Sequence, residues 1–300
     1  MIPNTNDGSS APPRLRCYLN GGGLAHLPSF STVPKVTGDA LLEAIKAAGF
    51  EGIQGGDVTA CRRVGLGVAG GGRVDAPADA FRMAAESKAA GLECATVHAG
   101  TGFESDAEID RLVGAIVEAS AKEQFPIYLE THRATITQDI WRTVEFVKRF
   151  PEIRFNGDFS HWYTGHEMVY GDWAKKIEFI QPVFDRVRFV HGRIGNPGSM
   201  QVDLGTSTHG PAVTPDSGQP YIDHFRQMWT LSFTGFLKTA KPGDYLIFAP
   251  ELLFGSIYYA RLFRGPDGTL REEGDRWQQA LLYCDIARDC FEAARQSLGK

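Results

Sequence analysis

Glu130, Asp158, His191 and Glu251 each stand at the end of a short apolar run: Phe125 to Leu129, Ile153 to Gly157, Val187 to Val190 and Tyr245 to Pro250. A fifth run, Leu92 to Val97, ends in His98. From His98 the steps are 32, 28 and 33 residues, the length of one strand, one helix and two connections. Polar groups at the same end of successive parallel strands converge on one mouth. Carboxylates brought together there repel and must share a proton or a cation. Three carboxylates with one imidazole suit one hard to borderline divalent ion: Mn2+ first, then Mg2+ or Co2+, with Zn2+ less favoured by so oxygen-rich a set.

Each residue taken singly has a plainer reading. Glu130, in Leu129-Glu130-Thr131-His132-Arg133, would pair with Arg133, and His132 falls on the same side if the strand geometry persists. Asp158 is a common helix cap, and His161 three residues on would cap a loop or bind substrate. A lone histidine after an apolar strand, as in Val190-His191-Gly192-Arg193, is ordinarily a satisfied buried one. Glu251 follows Pro250 at the end of a strongly apolar run, where an unpaired carboxylate is costly. Four such coincidences on four strands outweigh the separate readings.

These residues need a scaffold of alternating strands and helices. Leu15–Leu19 and Phe50–Gln54 read as the first two strands, with a helix from Asp39 between them. A Gly-rich rim loop and a helix from Pro77 to Gly91 follow, then the third strand to His98. Ser105 and Glu108 make a capping box ahead of the apolar stripe Ile109, Leu112, Val113, Ile116 and Val117. Strands four, five and six deliver Glu130, Asp158 and His191, with helices over 138–150 and 171–184 between them. The step from His191 to Glu251 is 60 residues, one repeat plus an inserted loop over 194–219 that holds Gln201, His209 and several glycines. A helix over 222–240 leads to strand seven and Glu251. Residues 257–263 are the candidate eighth strand, before a closing helix over 277–298. Alternation without hairpin signals gives a (β/α)8 TIM barrel over 14–300, behind a flexible polar tail at 1–13. A doubly wound sheet is the runner-up, disfavoured because the polar groups sit late in the chain.

Net charge is −5, with 31 basic and 36 acidic residues mixed along the chain, which predicts no nucleic-acid or membrane partner. The five cysteines lack a Cys-x-x-Cys pair and read as reduced thiols of a cytoplasmic protein. Gly65 to Gly70 fits a dinucleotide-binding pattern but follows no strand and opens no helix.

The Leu-Glu at 129–130, Asp-x-x-His at 158–161, His-x-Arg at 191–193 and Pro-Glu at 250–251 resemble, in order and spacing, the metal site of the xylose-isomerase-like superfamily of sugar and sugar-phosphate isomerases and epimerases. The resemblance runs from about residue 15 to the C-terminus. It implies that Glu130, Asp158, His191 and Glu251 hold the metal, that Glu130 and Glu251 form the acid–base pair, and that His161 and Arg193 contact substrate oxygens. His98 and His132 are further candidates for substrate hydroxyls.

The expected activity is isomerisation or epimerisation of a sugar or keto-sugar by proton transfer through a metal-stabilised enediolate. A lyase or dehydratase acting on a keto-polyol or 3-keto glycoside shares the first step. A non-catalytic sugar-binding barrel is the alternative from another class. The cluster of aromatics and the long loop suit a homo-oligomer, a dimer or tetramer.

Overall fold

The computed structural model describes residues 2–208 and 221–299. Eight parallel strands close into a barrel: β1 (Arg14–Asn20), β2 (Gly52–Gln54), β3 (Gly67–Val74), β4 (Ala95–Ala99), β5 (Ile127–Glu130), β6 (Phe155–Asn156), β7 (Val187–Gly192) and β8 (Asp244–Pro250). Leu15 pairs with Leu246 and Phe189 with Ile247, so β8 joins β7 to β1 and leaves no edge. Helices follow the strands: α1 (Asp39–Ala47), α2 (Val58–Val64), α3 (Pro77–Ala90), α4 (Asp106–Glu123), α5 (Ile140–Arg149), the short α6 (Ser160–Gly165), α7 (Trp173–Phe184), α8 (Tyr221–Thr239) and α9 (Arg276–Ser297). The expected (β/α)8 barrel is the fold observed.

Local chemistry sets the helix limits. Glu108 accepts from the backbone N–H of Ser105 at 2.8 Å, as the capping box at the start of α4 requires. Asp57, Asp139, Asp172 and Asp275 each accept a backbone N–H at the start of α2, α5, α7 and α9. Gly65 ends α2 and Gly91 ends α3 in the left-handed conformation.

Two strand assignments differ from expectation. The Gly-rich stretch expected as a rim loop is β3, in register between β2 and β4. Its glycines answer to packing: a Cβ on Gly70 would stand 2.6 Å from Leu92 Cδ1, and one on Gly72 2.7 Å from Met83 Cε. Residues 257–263, expected as the eighth strand, instead leave a short 3-10 turn (Gly255–Ile257) for an exposed hairpin of Leu262–Arg264 with Leu270–Glu272. Tyr258 sits in the left-handed region with its side chain in solvent, which breaks any extended run there. His191 and Glu251 therefore lie at the seventh and eighth barrel strands rather than the sixth and seventh.

Part of residues 1–13, expected as a flexible tail, is held against the barrel, while residues 6–10 are exposed. Thr5 and Asn6 pair antiparallel with Tyr245 and Asp244, and Ile2 is buried. The insertion leaves β7. Its first part, to residue 208, includes Gln201, which donates to Leu253 O at 3.1 Å. Residues 209–220, His209 among them, lie outside the described residues.

Candidate metal centre

Glu130 closes β5, His191 is the penultimate residue of β7, Glu251 follows β8 and Asp158 stands two residues beyond β6. Four adjacent strands thus aim their C-terminal ends at one point. One ligand atom from each of the four residues lies within 4.8 Å of the others. His191 Nδ1 is 3.2 Å from Glu130 Oε2 and 3.5 Å from Glu251 Oε2. Groups bound to one ion at roughly 2.0–2.2 Å stand about 3 to 3.5 Å apart, so these separations are those of ligand edges.

Burial and neighbouring charges set the protonation of the four groups. Burial works against charge on Glu130, but His191 and His98 beside it hold its carboxyl well below the usual range. Burial likewise opposes Asp158, which Arg193 and His161 keep low. At Glu251 burial prevails over His191 and Arg193, and the carboxyl is raised. The His191 imidazole, opposed by burial but faced by Glu251 and Glu130, is raised to about 9. The fully buried Arg193 guanidinium bridges Asp158 Oδ2, at 3.1 Å, and Glu251 Oε2. Glu130 Oε1 and Asp158 Oδ2 are buried with no well-aligned hydrogen bond, though each faces a basic side chain, His98 Nε2 at 3.2 Å and Arg193 at 3.1 Å. Three carboxylates in one cluster leave acceptor capacity beyond what those partners use. The donor set therefore fits a divalent ion.

Amides not singled out in the sequence hold His191 and Glu130. Gln54 Oε1, at the end of β2, lies 2.8 Å from His191 Nε2 and also accepts from Asn20 Nδ2 at 2.9 Å. Asn156, at the end of β6, accepts the His191 backbone N–H at 2.9 Å, and its Nδ2 lies 3.0 Å from Glu130 Oε2 and 3.0 Å from His191 Nδ1. Asn20, Gln54 and Asn156 are strand-terminal, so the rule that picked out the ligands finds them too when extended to amides.

A cleft of about 240 Å³ opens beside the ligands, lined by Gln54, Gly71, Arg73, Thr96, His98, Glu130, His191 and Glu251. His98 is thus on the cleft wall, its Nε2 3.2 Å from Glu130 Oε1. His132, His161 and Arg193 are grouped apart from that lining. The rings of His98 and His132 stand 4.1 Å apart and those of His132 and His161 3.7 Å apart, a file of three imidazoles. Burial, with His161 beside it, pushes His132 down to about 3, and burial pushes His161 down as well. Tyr259, a residue the sequence did not single out, lies over the Arg193 guanidinium at 4.3 Å and edge-on to His161.

No protein-family model matches the chain, and no curated protein matches its sequence. Solved structures do match its fold. One is a xylose isomerase-like TIM barrel protein from Mycobacterium smegmatis in complex with magnesium, at 14% identity and TM-score 0.53, covering 95% of this chain and 98% of that one. Another is the probable 3-DHS dehydratase AsbF, involved in petrobactin synthesis, from Bacillus anthracis, at 15% identity and TM-score 0.51, covering 81% and 94%. At such identities the likeness is one of architecture: this chain has the fold of the xylose-isomerase-like TIM barrels.

Proposed function

We propose that this protein is a divalent-metal-dependent isomerase or epimerase of a sugar or keto-sugar. The observation that carries the reading is the convergence of Glu130, Asp158, His191 and Glu251 within 4.8 Å beside an open cleft. Those four residues hold the ion, and the three carboxylates among them favour Mn2+. When bound, the ion supplies a Lewis acid that draws charge from a carbonyl and its neighbouring hydroxyl and acidifies the C–H between them.

The chain's own groups do the rest. Glu130 and Glu251 reach His191 from the outer two of four adjacent strands, so two carboxylates flank the reacting carbons. Glu251, raised by burial, is suited to take the proton and, once protonated, to return it to the neighbouring carbon, while Glu130, held ionised, is suited as the base for a proton removed from the opposite face. His98 donates to a substrate hydroxyl from the cleft wall. Arg193, fully buried, keeps Asp158 and Glu251 in place, and His132 and His161 stack in file from His98 on the cleft wall.

The test is exchange of substrate C–H for solvent deuterium by the Mn2+-loaded protein, abolished in Glu251→Gln. Full turnover in a metal-free preparation refutes the reading. A lyase is the second reading, supported by the fold shared with a probable dehydratase. It uses the same proton removal and then expels a leaving group, and mass spectrometry of the product separates the two.

Five buried, unpaired cysteines support a reducing, cytoplasmic setting, and among the described residues no helix is long and apolar enough to cross a membrane. Exposed Phe30, Leu262, Phe263 and Leu270 on the rim support a homo-oligomer.

A further inference from the structure

Arg154 stands just ahead of β6 and Arg188 is the second residue of β7, at the end of the barrel opposite the metal centre. They are 8% and 2% exposed, yet among the described residues neither forms an ion pair with a carboxylate. Arg186, partly exposed in the turn between α7 and β7, is a third guanidinium without such a partner. Buried charges are ordinarily paired, because an uncompensated one is costly. Burial, with Arg154 and Arg186 beside it, pushes Arg188 down to about 10 against Tyr128 and Asp244. Burial and Arg186 lower Arg154 in the same way, against Tyr128 and Glu152.

Neutral oxygens hold the three in place without cancelling their charge. Arg188 donates to Asn4 Oδ1 at 2.8 Å, to Thr239 Oγ1 at 2.9 Å and to the carbonyls of Asp185 and Val187. Arg154 Nη1 donates to the carbonyls of Pro151 at 3.2 Å and Ile153 at 2.8 Å. Arg186 Nε donates to the same Pro151 carbonyl at 3.1 Å, and its Nη1 to that of Pro182. One oxygen thus draws two guanidiniums side by side. The edge of Arg154 formed by Nε and Nη2 meets no acceptor, and its Nε is buried. That edge is the one that grips an oxyanion with two parallel hydrogen bonds. Arg63, Arg142 and Arg149 each turn it on an aspartate. The ends of α5 and α7 attract cations to this corner, but a helix end carries only about half a charge and does not answer three.

We propose that Arg154 and Arg186, backed by Arg188, form a site for a phosphate-type dianion, either inorganic phosphate or the phosphate of a monoester. Three positive charges suit a dianion better than a single carboxylate. Nη2 of Arg154 and Nη2 of Arg186 meet the oxyanion, and the Arg154 Nε completes the fork. The site shares no residue with the metal centre and does not depend on the activity assigned to it.

The experiment is calorimetric titration of the full chain with inorganic phosphate, and separately with methyl phosphate, at constant ionic strength. The expected result is binding by the wild type, weakened about tenfold or more in Arg154→Met, Arg154→Lys and Arg186→Met. Arg154→Lys keeps the charge and loses the fork. The unfolding midpoint of each variant in chloride reports whether the barrel stands, and the partly exposed Arg186 carries the test if the Arg154 variants do not fold. Binding of inorganic phosphate alone makes the free anion the occupant, and equal binding of methyl phosphate admits a monoester; both support the site. Phosphate held at the metal centre instead leaves the arginine variants as tight as the wild type. That result in Arg186→Met, or in any folded Arg154 variant, overturns the proposal, as does the absence of binding by the wild type.

Discussion

Gln54 holds His191 from behind: its Oε1 lies 2.8 Å from Nε2 of the imidazole and takes a second hydrogen bond from Asn20. With the Nε2 proton committed to that carbonyl, Nδ1 is the nitrogen left to face Glu130 and Glu251. Gln54 and Asn20 are side by side at the ends of β2 and β1, so groups from the strands beyond β8 set the tautomer of His191 on β7.

Gln54→Leu keeps the side-chain size and removes the acceptor. Loss of such a partner weakens metal binding about 10- to 100-fold. Calorimetric titration with Mn2+ measures it, and an unchanged Kd removes Gln54 from the site.

Bound metal stabilises the fold by mass action. At a free Mn2+ concentration about a hundredfold above Kd the gain is about 2.7 kcal/mol. Thermal unfolding with and without Mn2+ shows it as a raised midpoint, and His191→Ala loses most of the rise. If His191→Ala keeps the full shift, the ion is bound elsewhere.

Gly71 governs the width of the cleft. A Cβ there would meet Thr96 Oγ1 at 3.5 Å and Gln54 Nε2 at 3.8 Å, ordinary contact distances, so the backbone tolerates a side chain. Gly71→Leu fills space in front of His98 and Glu130. Turnover of a sugar substrate falls about tenfold or more while the unfolding midpoint stays within a few degrees. Undiminished kcat/KM shows that substrate enters by another route.

His224, on α8, stacks on Trp173 at 3.6 Å and meets the Tyr163 hydroxyl at 2.9 Å. Burial, with Lys176 adding to it and Asp223 opposing it, pushes its imidazole down from the usual 6.5 to about 4. As pH falls below 6.5 the unfolded chain takes this proton first, so stability drops between 6.5 and about 4 and this contribution is flat below. Urea midpoints across that interval show the slope, and His224→Phe makes it shallower. An equal slope in the variant assigns the effect to other groups.

What the sequence disclosed was the part of the barrel where strong apolar runs carry unusual termini. Glu130, Asp158, His191 and Glu251 stood out because a charged or titratable group at the end of such a run has few ordinary reasons to be there. Strand β3 escaped notice because Gly70, Gly71 and Gly72 contribute no side chains to an alternation; their spacing answers to Leu92 and Met83 on other elements. Residues 257–263 misled for the opposite reason. They are apolar and aromatic, but Tyr258 and Phe263 face solvent on the rim. The file of His98, His132 and His161 was present as three residues and invisible as a stack, since only the barrel's curvature brings β4, β5 and α6 together.

The pairing of Thr5 with Tyr245, and of Arg14 with the same residue, has a bearing on how the protein is made. The barrel cannot close on the ribosome until some 250 residues have been synthesised, because β1 waits through seven strand–helix units for its second neighbour. Contacts so distant in sequence are slow to form and leave edges open meanwhile. Glu251 arrives with that last strand, so the last seam synthesis makes available is also the one that brings Glu251 to Glu130, Asp158 and His191.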